Sequence, residues 1–305
     1  MVFAVIAGLG LVALGHRTAF IVVLSGALVI FGGFSSLMLS LHGDARTRSY
    51  FGVYTVRENR VQRQLAHGTT VHGTELIGSP PRDVTPTTYY VPGSGIGQAM
   101  RAAPTLFGPK ARIGVVGLGA GTLACYARPG QSWRIFEIDP AIVRIARARF
   151  GFLRRCLPNA DIVVGDARLA LAAQPKASFD LLALDAFSSD AVPMHLMTRE
   201  AFGRYAHTLA PNGLLLVHIS NRFLDLEPVV AANAAAGGWH AASLVYRPAD
   251  KPREGETVSQ WIALSRDQAA LASLTGGHPD WQKLRSRQGF APWTDDHSSI
   301  LPLLK

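Results

Sequence analysis

The chain is 305 residues long and carries a formal net charge of +9, with hydrophobic residues making up 48%. That length exceeds one typical domain and suffices to bury a full α/β core, which excludes a disordered or disulfide-scaffolded mini-protein. The basic residues are dispersed, no Lys/Arg run reaches five and no nucleic-acid-binding motif occurs, so the charge points to no nucleic-acid partner.

In chain order, Met1 to Leu14 is apolar but short for a membrane span, and Ala19 to Leu41 is uncharged and long enough for one. His16 and Arg17 separate the two stretches. No basic segment precedes the first, as a secretory signal would require. Residues 1–42 therefore read as a transmembrane helix or helical hairpin, or as the tail of a larger membrane domain; a buried hydrophobic helix pair is the alternative. Arg46 and Arg48 follow the longer stretch and predict an inner-membrane protein with its remaining domain facing the cytoplasm.

His42 to Ser49 is polar and reads as a linker. Residues 50–57, 60–67 and 70–77 alternate apolar with polar and are punctuated by Asn59, Gly68, Gly73 and Gly78, predicting a small antiparallel β-domain over 50–92. Residues 78–87 form a proline-rich loop, and 95–107 has helical spacing. From residue 93 to 305 the pattern becomes βα. Strands are predicted near 112–117, 133–138, 161–165, 179–184, 213–219, 240–246 and 258–265. Helices are predicted near 121–128, 140–149, 167–173, 198–209 and 225–236. This alternation implies a mostly parallel sheet covered on both faces, with a hairpin edge formed by the last two strands. Arg144, Arg147, Arg149, Arg154 and Arg155 read as a solvated helix face. Cys125 and Cys156 lack CxxC or zinc spacing and read as buried free thiols in a reducing compartment; no metal is expected.

The chemistry should lie at the carboxyl ends of the strands. Gly117-x-Gly119-x-Gly121 ends the first βα strand, and about 20 residues on, the second ends in Glu137 and Asp139. Glycines let the backbone turn and approach a ligand, and an acid at the second strand tip accepts hydrogen bonds from both ribose hydroxyls. Thr122 stands where the dinucleotide pattern continues, so the turn suits an adenosyl sulfonium of the S-adenosylmethionine type better than NAD. Asp166 is placed either to accept from an adenine amine or to cap a helix, and both can hold. Asp185 ends a wholly apolar strand over the same site, and His218-Ile-Ser-Asn221 ends the next. His67, His72, His195 and His218 are not at metal spacing.

Together, Gly117–Gly121, Glu137-Ile-Asp139, Gly165-Asp166 and Asp180–Asp190 resemble the spermidine synthase (polyamine aminopropyltransferase) family. His67–Thr74 with Thr88-Tyr-Tyr90 resembles that family's small β-domain and its junction. The likeness spans roughly 50–265. Asp185–Pro193, His218–Arg222 and Trp293-Thr-Asp-Asp296 are similar to a bacterial branch in which the domain follows membrane helices. The resemblance implies a seven-stranded S-adenosylmethionine-methyltransferase-like Rossmann sheet. It also implies a transferase that moves an aminopropyl group from decarboxylated S-adenosylmethionine to a polyamine such as putrescine, and it is compatible with a homodimer. Glu137 would hold the ribose and Asp166 the adenine, with His72 near the donor. Asp185 would help deprotonate the attacking amine beside Tyr89, with Tyr90 and Asp190 on the polyamine side.

Three positions depart from the family pattern. Ala120 replaces an acid in the glycine motif, the Asp185–Asp190 stretch replaces a shorter gatekeeping motif, and no acid follows the tyrosine at Tyr89-Tyr90-Val91. Two other readings compete. One is a methyltransferase using intact S-adenosylmethionine; the other is a membrane-tethered, non-catalytic binding module.

Overall fold

The computed structural model describes residues 15–34, 38, 45–68, 70–186, 192–250 and 255–305. Helix α1 (Arg17–Ile30) has 14 residues and buries none of them. At 1.5 Å per residue it is about 21 Å long, short of a hydrocarbon core of about 30 Å. Among the described residues no helix is long and apolar enough to cross a membrane. The expected span over Ala19–Leu41 runs beyond α1 into residues outside the described set, as does all of Met1–Leu14.

Strands β1 (Arg46–Ser49), β2 (Gly52–Glu58), β3 (Gln62–His67) and β4 (Thr70–Leu76) form a four-stranded antiparallel sheet in sequence order. Strand β1 lies where a linker was expected. Its Arg-Thr-Arg-Ser sequence has no apolar alternation because it is an edge strand, held by its backbone register with β2. The buried side chains of Tyr54, Val56 and Leu65 make this sheet continuous with the main core.

The second sheet has eight strands. In chain order they are β5 (Arg112–Val116), β6 (Ser132–Glu137), β7 (Asp161–Val164), β8 (Phe179–Leu184), β9 (Leu209–His218), β10 (His240–Tyr246), β11 (Ser259–Ser265) and β12 (Trp281–Lys283). The spatial order is β12-β10-β11-β9-β8-β5-β6-β7. Strands β5 to β9 run parallel, whereas β11, β10 and β12 pair antiparallel at one edge. The expected seven strands are thus present with an eighth added. Three residues of β12 carry no period to read; the strand is anchored by Trp281, whose indole donates to Gln98 at 2.8 Å.

Both faces of this sheet are covered, which explains the unbroken apolar run of Leu181 to Leu184. Leu181, Ala183, Leu214 and Leu216 join one core with Ile96 and Met100 of α2 (Gly95–Phe107). Leu182, Leu184, Leu215 and Val217 join the other. That second core is completed by Leu171 of α5 (Ala167–Ala172), Phe202 and Tyr205 of α6 (Arg199–Thr208), and Val229 of α7 (Glu227–Gly237). The predicted helix after the glycine turn is instead a 3-10 segment, Thr122–Tyr126. It has little room to be anything else: Gly121 precedes it at φ +88°, and Pro129 disfavours helical geometry at Arg128.

Two expectations are corrected here. Cys125 and Cys156 are not free thiols: they form a disulfide that ties the 3-10 segment to α4 (Phe152–Cys156). Their spacing of 31 residues hid a contact made only by the tertiary fold. The arginines around α3 (Pro140–Arg149) and α4 are not all solvated either. Arg155 pairs with Asp83 at 2.8 Å and with Glu75 at 3.3 Å. Glu75, buried on β4, also accepts from Arg63 at 2.9 Å and from the Gly151 backbone N–H at 2.8 Å. A carboxylate with this many donors clamps the small sheet to the α3–α4 turn.

Candidate active site

Strand order reverses between β5 and β8, whose carboxyl ends lie side by side, and there the chain opens a cavity of about 330 Å³. That volume is at the lower end of small-molecule sites. Its wall includes Gly117, Gly119, Glu137, Asp166, Asp185, His72, Tyr89 and Tyr90, eight of the residues singled out from sequence.

Gly117 and Gly119 are at φ +93° and +54°. A Cβ at Gly117 would stand 2.1 Å from the Asp185 carbonyl oxygen, and one at Gly119 would stand 2.6 Å from that of His72. Glycine is therefore required for the turn to pass between β8 and β4. Gly121 is not on the wall; it faces Leu153.

Glu137 is 7% exposed. It accepts one backbone N–H on each oxygen, from Leu118 and from Asp139, both at 2.9 Å. Burial raises its carboxyl above the ordinary range, against the pull of those donors. Asp139, expected beside it, is not on the cavity wall. It caps α3 by accepting from Ala141 at 2.8 Å, and it receives the Ser49 hydroxyl. The strand ends at Glu137, and Asp139 is taken up as the N-cap of the helix that follows. Asp166 caps α5 by accepting from Leu169 N on Oδ1 at 2.9 Å, and it lines the cavity with Oδ2 3.2 Å from His195 Nε2.

Ile138, Ile142, Phe136, Val116 and Leu196 make the remaining wall at this end apolar. Nothing in the sequence singles them out as wall residues. His72 is driven down to about 4 by burial and is neutral, and its Nε2 is buried without a hydrogen-bond partner.

At the other end sits Asp185, its side chain 6% exposed. Burial alone would raise its carboxyl, but the charge and hydrogen bond of His218 and the Tyr90 hydroxyl reverse this and hold it below the ordinary range. Tyr90 donates to Oδ2, and His218 Nδ1 lies 2.6 Å from Oδ1. Tyr89 lies over the opposite side of the histidine ring, stacked at 4.6 Å.

The tyrosine pair is positioned by an unusual backbone. Thr88, a β-branched residue, is at φ +56° and is pinned by donating its N–H to Gly255 O at 2.6 Å. Such a conformation costs about 1–3 kcal/mol and persists only where the surroundings impose it. His218 was the main residue missed. Its sequence signals were its place at the carboxyl end of the strand next to that of Asp185 and the family likeness of His218–Arg222, neither of which pairs it with Asp185.

Asp190 lies outside the described residues. The Trp293–Asp296 motif is not on the cavity wall. Asp295 holds Arg168 at 2.6 Å and Thr198 at 2.8 Å, joining the starts of α5 and α6.

The order of the first seven strands, with the glycine turn after β5 and an acid ending β6, defines an S-adenosylmethionine-methyltransferase-like Rossmann fold. In front of it stands a small antiparallel sheet. The chain is 34% identical over 125 residues to the polyamine aminopropyltransferase of Vibrio vulnificus (strain CMCP6), a match covering 39% of this chain and 41% of that protein. The matched stretch thus spans about two fifths of the length of this curated relative.

Among solved structures, a probable spermidine synthase from Corynebacterium glutamicum superposes with a TM-score of 0.57 at 20% identity, over 84% of this chain and 97% of that one. The spermidine synthase of Thermotoga maritima gives 0.53 at 13% identity, over 79% of each chain. A spermidine synthase in complex with the transition-state analogue AdoDATO gives 0.52 at 12% identity, over 79% of this chain and 80% of that one. No family model matches the chain. The resemblance read from the motifs is therefore carried by sequence over part of the chain and by fold over most of it.

Proposed function

We propose that this protein is an aminopropyltransferase that moves the aminopropyl group of decarboxylated S-adenosylmethionine to an amine such as putrescine. The observation that carries the reading is one cavity with a glycine turn and Glu137 at one end and the Tyr90–Asp185 pair at the other. Supporting residues fit the donor. The lone pairs that Glu137 has left after its two backbone bonds would take the ribose hydroxyls. Asp166 would take the adenine amine between apolar walls, and the unpartnered Nε2 of His72 would meet the donor's chain.

In the reaction a nitrogen–carbon bond forms, the carbon–sulfur bond breaks, and methylthioadenosine leaves as a neutral thioether. Positive charge passes from sulfur to nitrogen. A carboxylate held ionised at Asp185 favours that shift and accepts the amine's N–H, and the arrangement in one cavity supplies orientation. Because Asp185 is held low, it acts more as a fixed anion than as a strong base. Turnover should therefore rise with pH toward the amine's own pKa.

The test is binding. Decarboxylated S-adenosylmethionine should bind more tightly than the intact molecule, and the reverse order would transfer the reading to a methyltransferase. One observation favours that second reading. Ala120 is buried against Gly73, where an added Cβ would stand 2.5 Å from the Ala120 side chain, so the family's acid for the donor amine has no counterpart there.

The same reading includes inner-membrane attachment, supported by the exposed apolar side chains of α1 such as Ile21, Val22 and Ile30. Arg46 and Arg48 favour the cytoplasmic face, and the disulfide favours an oxidising one. Thiol labelling of intact cells separates the two. A homodimer is the proposed oligomer, to be checked by sedimentation in detergent.

A further inference from the structure

Resting on the aminopropyl-transfer reading, we propose that His218 is the positioning residue of the site: with Tyr90 it fixes the Asp185 carboxylate as an oriented acceptor for the incoming amine. His218 is not on the cavity wall, so it acts through Asp185. The two side chains are 7% and 6% exposed and meet at 2.6 Å.

The ring is oriented from its far side. Ser220 Oγ accepts the Gln260 backbone N–H at 2.8 Å and lies 2.8 Å from His218 Nε2. This contact holds the far edge of the ring, so that Nδ1 is turned to Asp185. Rotation is blocked by Tyr89 and Trp261, each stacked on the ring at 4.6 Å, with interplanar angles of 21° and 19°. On the other oxygen Tyr90 donates, and the Tyr89 ring packs against that of Tyr90 at 4.3 Å. The polar groups facing the pair are thus Tyr89 and Tyr90 before α2, His72 on β4, and Ser220 after β9. Both carboxylate oxygens are fixed by the protein, and their remaining lone pairs are left for the cavity.

Three variants separate positioning from packing. His218→Phe keeps a stacked ring without a donor, His218→Asn keeps a donor near Nδ1 without the ring, and Ser220→Ala removes the hydroxyl at Nε2 together with the acceptor of the Gln260 N–H. We expect His218→Phe to lower kcat about 100-fold, the loss expected from misplacing a reacting group by about 1 Å. The donor's dissociation constant should stay within about threefold, because the adenosyl contacts are untouched. His218→Asn should recover about a tenth of wild-type kcat, and Ser220→Ala should fall between the two.

A packing role predicts the opposite ranking, with Phe mild and Asn severe, and that result overturns the proposal. A readout independent of turnover is the infrared carboxylate titration of Asp185, obtained by subtracting the Asp185→Asn spectrum. Its midpoint should rise in His218→Phe, and also in Ser220→Ala if the Phe variant does not fold; an unchanged midpoint overturns the proposal. If the wild-type chain transfers an aminopropyl group to no amine, the functional reading fails, and the infrared titration alone still decides whether His218 holds Asp185.

Discussion

Replacing Gly117 by Ala tests how the fold sets the site. The residue sits at φ +93°. An added Cβ would stand 2.1 Å from the Asp185 carbonyl oxygen and 2.9 Å from its carbonyl carbon. The two strand ends cannot slide freely, because Gly117 N donates to Phe136 O at 2.8 Å and Asp185 N to Val116 O at 2.9 Å. Relieving the clash needs roughly 1 Å of movement at Asp185, at about 1–3 kcal/mol for overpacking, with about 1 kcal/mol more for the backbone conformation.

Gly108→Ala is the control: φ is +80° and nothing lies within 4 Å of the added carbon, so only the conformational cost of about 1 kcal/mol applies. Thermal melts should show Gly117→Ala losing about 4–16 °C and Gly108→Ala about 2–4 °C. Turnover should fall about 100-fold in the first and remain normal in the second. Equal losses of melting temperature in the two variants, or normal turnover in Gly117→Ala, would refute the reasoning.

Glu137→Gln should weaken binding of methylthioadenosine by about 1–3 kcal/mol, measured by calorimetry; unchanged affinity removes the ribose assignment. Asp185→Asn should abolish transfer in a single-turnover assay while donor affinity stays within a few-fold, and near-normal transfer defeats its role. For His72 the sign of the pH effect is fixed by a pKa of about 4 in the folded chain against 6.5 ordinarily. Between those values the unfolded chain binds a proton that the folded chain refuses, so stability falls as pH drops through the window, by roughly 3 kcal/mol in all. Denaturant titrations of His72→Gln should show a shallower slope there. Cys125→Ser should cost about 3–4 kcal/mol for a bridge spanning 31 residues, and a reductant should lower the melting temperature of the wild type but not of the variant.

Much of this architecture was legible from the sequence because local and tertiary signals agree. Leu181–Leu184 is apolar on both faces and is a central strand; Ser94 precedes 95–107 and caps the helix by accepting from Gly97 at 3.2 Å. The glycine turn and Glu137 announce themselves by residue type and spacing. What escaped depends on partners distant in the chain. Strand β1 is polar and exists through its pairing with β2, and β12 is too short to carry a period. Asp139 looked like a ligand because it shares a strand tip with Glu137, but the helix start claims it. His218 gave only a positional cue and a family likeness, since its meaning lies in Asp185, 33 residues earlier, and in the rings that clamp it.

The central claim is tested most directly by product analysis. The full chain, in detergent, is incubated with putrescine and either decarboxylated or intact S-adenosylmethionine, and the mixture is examined by mass spectrometry. The account predicts methylthioadenosine and spermidine in equal amounts from the decarboxylated donor, and neither product from Asp185→Asn. Formation of S-adenosylhomocysteine from the intact donor, with no methylthioadenosine from the decarboxylated one, would contradict it.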